Sequence, residues 1–313
     1  MLELNRILVG LLMSVLGFNS HAVGITFSVL EEFGNNPGEL QASYYKPNVN
    51  NPTIVVLLHG CMQNGQELAQ NSGLLNLAKG NFALLLPQQS TNNNIKSCFN
   101  WYSANDYSRD SGESLSIKNM IISLKNQLQS HNIYIIGLSG GGAMSSVMLV
   151  NYPELFTAGA VIAGIPFPCA DGLITAISCM KNGPSQTVFD LTSQIKQQND
   201  EPKKWPKLSV WTGSNDKIVN PSNSVALARQ WAGLRQIQSK PNVSRKPGYT
   251  ISEWHNKQKQ VQVELIEVED LGHGIMVNPE VRNGGTASDF LLESPISTVM
   301  HVTKTWHLVN VTN

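Results

Sequence analysis

Charged side chains are scarce in this chain: Asp, Glu, Lys and Arg make up 14% of its 313 residues, against about 25% in an average soluble protein. The 22 basic and 22 acidic residues cancel, so no net positive field draws the chain onto phosphate backbones or anionic lipid. That argues against nucleic acid as a partner. Long apolar runs are missing as well. The stretch Ile7 to Phe18 is interrupted by Gly and Ser and falls well short of the roughly 20 residues that a membrane-crossing helix needs. Only four cysteines occur, Cys61, Cys98, Cys169 and Cys179, and neither a CxxC nor a His-rich spacing sets up a metal site. No metal and no cofactor is expected. Internal repeats and a linker to a second domain are absent too.

What is there begins with a targeting pattern. Arg6 precedes the short apolar run, and Ser20-His21-Ala22 places small residues at −3 and −1 of a cleavage site. Residues 1–22 therefore read as a cleaved signal peptide, and residues 23–313 as a single exported domain, periplasmic or secreted, with no membrane span after cleavage. Export turns the cysteines into disulfide candidates.

Beyond the leader, the solidly apolar segments Thr53 to Leu58, Phe82 to Leu86, Ile133 to Ile136 and Ala158 to Ile162 read as strands buried on both faces. Leu208 to Trp211 and Val261 to Val268 add two more. Ile117, Ile121, Leu124 and Leu128 recur at helical spacing, as in a crossover between parallel strands. The predicted class is α/β, with a mostly parallel central sheet, helices on both faces and loop excursions over the active site. Residues 92–96 and 169–205 are expected as excursions, and 236–260 as a solvated loop.

The sharpest motif is Gly137-Leu138-Ser139-Gly140-Gly141, between a predicted strand and the helix-like Ala143 to Asn151. G-x-S-x-G in that context is a nucleophile elbow, whose glycines let the chain turn sharply and lift a serine above the sheet. A serine alcohol needs a base, and the base needs an orienting acid. Asp216 follows the Leu208 to Trp211 strand and His273 follows the Val261 to Val268 strand, giving the chain order Ser, Asp, His of α/β hydrolases. Asp270 is the rival acid, although its closeness to His273 suits a turn-shaping role better. His301 and His307 read as surface residues, and His131 lies on the wrong side of the elbow strand. His59-Gly60-Cys61 follows the first central strand, so the backbone amides of Cys61 and Gly140 are the expected oxyanion donors, with His59 structural.

Successive motifs carry a family resemblance. His59-Gly60-Cys61-Met62-Gln63-Asn64, Leu86-Pro87-Gln88-Gln89, Cys98-Phe99-Asn100-Trp101-Tyr102, Gly112-Glu113-Ser114-Leu115-Ser116-Ile117, the elbow, Ala163-Gly164-Ile165-Pro166-Phe167-Pro168-Cys169-Ala170, Trp211-Thr212-Gly213-Ser214-Asn215-Asp216, Pro221-Ser222-Asn223 and Gly272-His273-Gly274 resemble, in order, those of the polyhydroxybutyrate depolymerase family of esterases. The resemblance implies an α/β-hydrolase fold, the triad Ser139, Asp216 and His273, and an oxyanion amide at Cys61. It also places both Cys61 and Cys98 in family-like loops beside the elbow. Of the three possible pairings, Cys61 with Cys98 and Cys169 with Cys179 is the expected one. Gly140 stands where the family often has Ala or Ser, and Gly274-Ile275-Met276-Val277 departs from its usual polar residue and proline.

The implied substrate is a polyester or oligoester of short 3-hydroxyalkanoates, with feruloyl or acetyl-xylan esters as the rival class. A secreted binding protein on a hydrolase scaffold is the distant alternative. Trp101 and Tyr102 are candidates for a substrate wall or for core anchors, and Ile275 and Met276 are weaker candidates beside the base. No linker or polymer-binding domain is recognisable after the core, so soluble oligomers are expected to be cleaved better than crystalline film.

Overall fold

Five consecutive residues without a polar side chain, Ile54–Leu58 (β3), are buried at every position, as happens when a strand is covered on both faces. Successive side chains point to opposite faces: Ile54, Val56 and Leu58 join one apolar cluster, and Val55 and Leu57 join the other. The computed structural model describes residues 27–198 and 204–309; the predicted signal segment lies outside them. Ahead of β3 come β1 (Ser28–Val29) and β2 (Gln41–Tyr45), and after it α1 (Gly65–Asn71) and α2 (Leu74–Ala78) lead to β4 (Ala83–Gln88). Asn64 starts α1, its side chain accepting from the amides of Gln66 and Glu67 at 2.9 and 3.1 Å, which satisfies two otherwise orphaned first-turn donors. The chain continues through α3 (Ala104–Tyr107) and α4 (Gly112–Leu128) to β5 (Ile133–Leu138), then through α5 (Gly140–Asn151) to β6 (Ala158–Ile162).

Helices α6 (Leu173–Asn182) and α7 (Val188–Gln198) precede β7 (Lys207–Gly213), and α8 (Ser222–Leu234) precedes β8 (Asn242–Lys246), β9 (Tyr249–His255) and β10 (Val261–Val268). A separate parallel pair, β11 (Ile275–Val277) and β12 (Leu291–Glu293), and α9 (Thr298–Thr305) follow. The ten-stranded sheet runs β1-β2-β4-β3-β5-β6-β7-β10-β9-β8. Its six central strands, β4 to β10 in that order, are parallel, and two antiparallel strands flank each side. Side chains of α4, α5 and α8 fill one apolar cluster, and those of α1, α2 and α9 fill the other. No helix among the described residues is long and apolar enough to cross a membrane.

Two segments differ from the sequence expectation. The excursion at 169–205 contains α6 and α7, and the supposed loop at 236–260 contains the β8–β9 hairpin. β8 is exposed at all five positions, so its pairing with β9 leaves no apolar alternation to detect. In β9 the buried positions are Ser252 and Trp254, a single large apolar residue.

The order of strands matters for function. From β3 the chain moves to β4 on one side, and β5 returns to the other. The carboxyl ends of β3 and β5 thus flank a point where the winding reverses, the place where open α/β sheets form their binding crevice.

Candidate active site

Ser139 sits at the β5–α5 junction with φ 56° and ψ −118°, a left-handed conformation that a side-chain-bearing residue adopts only under constraint from its surroundings. Its amide donates to the Ile162 carbonyl of β6 at 2.9 Å, and its carbonyl accepts from the Ala143 amide at 2.9 Å, so the neighbouring strand and the following helix fix the turn. The helix must come very close to the sheet. A Cβ on Gly141 would lie 2.3 Å from the Leu58 carbonyl oxygen and 2.4 Å from that of His59. Neither neighbour is a side chain that can swing away. Gly141→Ala is therefore expected to lower Tm by ~5 °C or more, measured by calorimetry; an unchanged Tm would mean that the elbow tolerates a wider helix–strand spacing.

Above the sheet, His273 Nε2 lies 2.8 Å from Ser139 Oγ, and His273 Nδ1 lies 2.7 Å from Asp216 Oδ2. The Asp216 side chain is 0% exposed and that of His273 6%. Asp216 Oδ1 accepts from the amides of Ile218 and Val219 at 2.8 and 2.9 Å, which leaves Oδ2 for the imidazole. With the Nδ1 proton held on that carboxylate, Nε2 is free to accept from the serine hydroxyl. Asp270, the rival acid, is exposed at φ 55° and gives its amide to Ser214 Oγ. It shapes the turn.

The loop after β3 is braced from several sides. His59 Nε2 accepts from the Gln89 amide at 3.1 Å and Nδ1 donates to the Gly60 carbonyl at 2.7 Å. Burial pushes His59 down to about 4, against a smaller upward pull from that carbonyl, so this ring is a neutral strut near neutral pH. Gln63 Oε1 accepts from the Gly60 amide at 2.8 Å, and the Met62 amide donates to Lys96 at 2.7 Å. Cys61 is joined to Cys98. A Cβ on Gly140 would lie 3.2 Å from Cys61 Sγ, so these two residues are neighbours across the elbow. Among the described residues neither the Cys61 nor the Gly140 amide donates to another protein group, and Gly140, first in its helix, has no intrahelical acceptor.

Beside Ser139 opens a cavity of about 500 Å³, lined on its apolar side by Trp101, Tyr102, Ile165, Leu173, Ile177 and Val219. Trp101 is only 7% exposed and packs edge-on against Tyr102, with ring centroids 5.4 Å apart. It belongs to the core and also lines the cavity. Leu173 and Ile177, which sequence reasoning missed, come from α6, pinned by the Cys169–Cys179 disulfide. Their signal was a four-residue spacing inside a polar stretch.

Ile275 and Met276 do not line this cavity. Both are 0% exposed in β11 and belong to the core. His301 differs from expectation as well. It is half-buried, its Nε2 lies 3.0 Å from Glu264 Oε2, and its ring stands edge-on to Trp211 at 5.2 Å. His307 is exposed, as read, and His131 is exposed just ahead of β5. Among the described residues no cluster of His, Cys, Asp and Glu could hold a metal ion.

Residues 42–253 match the family model described as Esterase PHB depolymerase. The chain belongs to the PHB depolymerase family of esterases. Within or near that family it is 34% identical over 276 residues to poly(3-hydroxyalkanoate) depolymerase C of Paucimonas lemoignei, an alignment covering 84% of this chain and 66% of that protein. It is 29% identical over 248 residues to feruloyl esterase B of Talaromyces stipitatus, covering 71% and 65%. The matched part thus spans just under two thirds of the length of these relatives. Among solved structures, an acetyl xylan esterase from Aspergillus awamori superposes with a TM-score of 0.71 at 23% identity, covering 79% of this chain and 94% of that one. That likeness supports the α/β-hydrolase fold of this PHB depolymerase family member.

Proposed function

We propose that the chain is an exported serine esterase that cleaves the ester bonds of short-chain poly- or oligo(3-hydroxyalkanoates). The observation that carries this is the apolar cavity opening directly beside Ser139. Lys96 is the one charged residue in its lining, so it suits an uncharged aliphatic acyl chain. Ser139 Oγ attacks the carbonyl carbon while His273 Nε2 takes its proton, and the Asp216 carboxylate stabilises the imidazolium. The Cys61 and Gly140 amides receive the developing oxyanion. His273 then returns the proton to the leaving alcohol, and water, activated by the same base, releases the acid and regenerates Ser139. Two disulfides and the leader-like residues 1–22 support synthesis for an oxidising compartment, periplasmic or extracellular.

A kinetic panel of 3-hydroxybutyrate oligomers, amorphous polymer, crystalline film, feruloyl esters, acetylated xylan and p-nitrophenyl esters tests the assignment. Oligomers should give the highest kcat/KM. Preference for feruloyl or acetylated sugar esters would move the enzyme to the rival class. Because Trp101 extends the apolar wall, Trp101→Ala is expected to raise KM for a trimer several-fold more than for p-nitrophenyl acetate. Equal losses on both would leave Trp101 as a core anchor only.

A further inference from the structure

Glu113, the second residue of α4, is 0% exposed, and no basic side chain pairs with it among the described residues. Three N–H donors converge on it instead. The Asn100 backbone amide donates to Oε2 at 2.8 Å, Gln89 Nε2 to Oε1 at 2.5 Å, and Asn93 Nδ2 to Oε1 at 3.4 Å. Each donor leads to a different wall of the site. Gln89 gives its own amide to His59, which stiffens the Gly60-Cys61 loop, and its side chain also reaches the carbonyl of Cys98, the disulfide partner of Cys61, at 3.2 Å. Asn100 immediately precedes Trp101 and Tyr102. Asn93 lies in the segment facing the cavity. Ionising a buried carboxyl that has no basic partner is costly to the fold, and packing alone would be served as well by an apolar residue that makes none of these three bonds.

We propose that Glu113 is a positioning residue for ester hydrolysis, holding the oxyanion-donor loop through Gln89 and the aromatic wall through Asn100 at the separation the transition state requires. This rests on the proposed esterase function of the Ser139 site. Misplacing donors or walls by about an ångström suffices to cost on the order of 100-fold in rate.

Ionisation gives the role a signature. Burial, aided by the negative charge of Asp106, pushes the Glu113 carboxyl up to about 8, while the Asn100 and Gln89 hydrogen bonds pull the other way. The other titratable group linked to it is His59, neutral and reached only through Gln89. Gly38 packs against it with backbone alone. Below about pH 8 the carboxyl is protonated, and one oxygen turns a proton toward N–H donors, which loosens the ties; above it, all three donors face an acceptor. Stability moves oppositely. The folded value lies above the ordinary carboxylate value, so the folded state gains stability from this group at low pH and loses it as pH rises from about 4.5 through about 8.

The test compares wild type, Glu113→Gln and Glu113→Asp on a short p-nitrophenyl ester from about pH 6 to about pH 9.5, with amide hydrogen exchange of residues 59–63 and 98–102. Glu113→Gln is expected to lower kcat by about 10- to 100-fold at the upper end with KM within about 2-fold. It should also remove a rising limb near pH 8 that wild type shows, and raise exchange in both segments but not in α5. Glu113→Asp should restore part of the limb. If Glu113→Gln does not fold, Gln89→Leu, which cuts one tie and keeps the carboxylate, should raise exchange in 59–63. A Glu113→Gln profile parallel to wild type, or unchanged exchange in both segments, overturns the proposal. Failure of wild type to cleave any ester would refute the esterase function instead, and the exchange comparison would still decide the positioning role.

Discussion

Ser139→Ala is expected to abolish ester hydrolysis, with kcat falling on the order of 10⁶-fold, while Tm stays within about 2 °C of wild type. The oxygen removed is the only atom of residue 139 that the proposed chemistry uses, and it lies 2.8 Å from His273 Nε2. The turn itself is held by backbone bonds to Ile162 and Ala143, which alanine retains. What survives would be the background of binding and oxyanion stabilisation without a nucleophile. A residual rate near wild type, with labelling by an active-site phosphonate persisting in the variant, would place the nucleophile elsewhere.

Asp216→Asn should cost roughly 10⁴-fold in kcat, again with an intact fold. An amide at this position can turn its NH₂ toward His273 Nδ1, which favours the tautomer protonated at Nε2. That proton then faces Ser139 Oγ, and the base can no longer accept from it. The Oδ1 bonds from Ile218 and Val219 fix which atom faces the imidazole, so the asparagine oxygen has reason to stay on them. Asp270→Asn, on the exposed turn, should change kcat by less than about 2-fold. If Asp270→Asn were the more damaging change, the acid would be reassigned.

The parallel core and the three residues that meet above it were legible because each carries a local signal. Unbroken runs such as Ile54–Leu58 mark doubly covered strands. Elbow glycines mark a close approach, and Asp216 and His273 each sit just past such a strand. What stayed hidden depends on contacts distant in sequence. Leu173 and Ile177 wall the cavity only because α6 is folded back and pinned through Cys179. Glu113 stood in a recognised motif, yet its role depends on donors up to 24 positions away. His301 resembled a surface residue of a C-terminal helix, but α9 lies against the sheet and hands it to Glu264. Ile275 and Met276 follow the base closely in the chain, but β11 pairs with β12 and turns them into the core.

The two ends of the large sheet bear on how densely such a protein can be crowded. An open sheet offers unpaired backbone donors and acceptors at each margin, and crowded molecules would meet one another there. At one margin lies β1, two residues long, too short to template a second sheet. At the other lies β8, exposed throughout and carrying Arg245 and Lys246, so edge-to-edge pairing with another copy would bring like charges together. Short and cationic margins are recognised guards against self-association into fibres, and here they stand at both ends of a ten-stranded sheet in a chain whose net charge is zero.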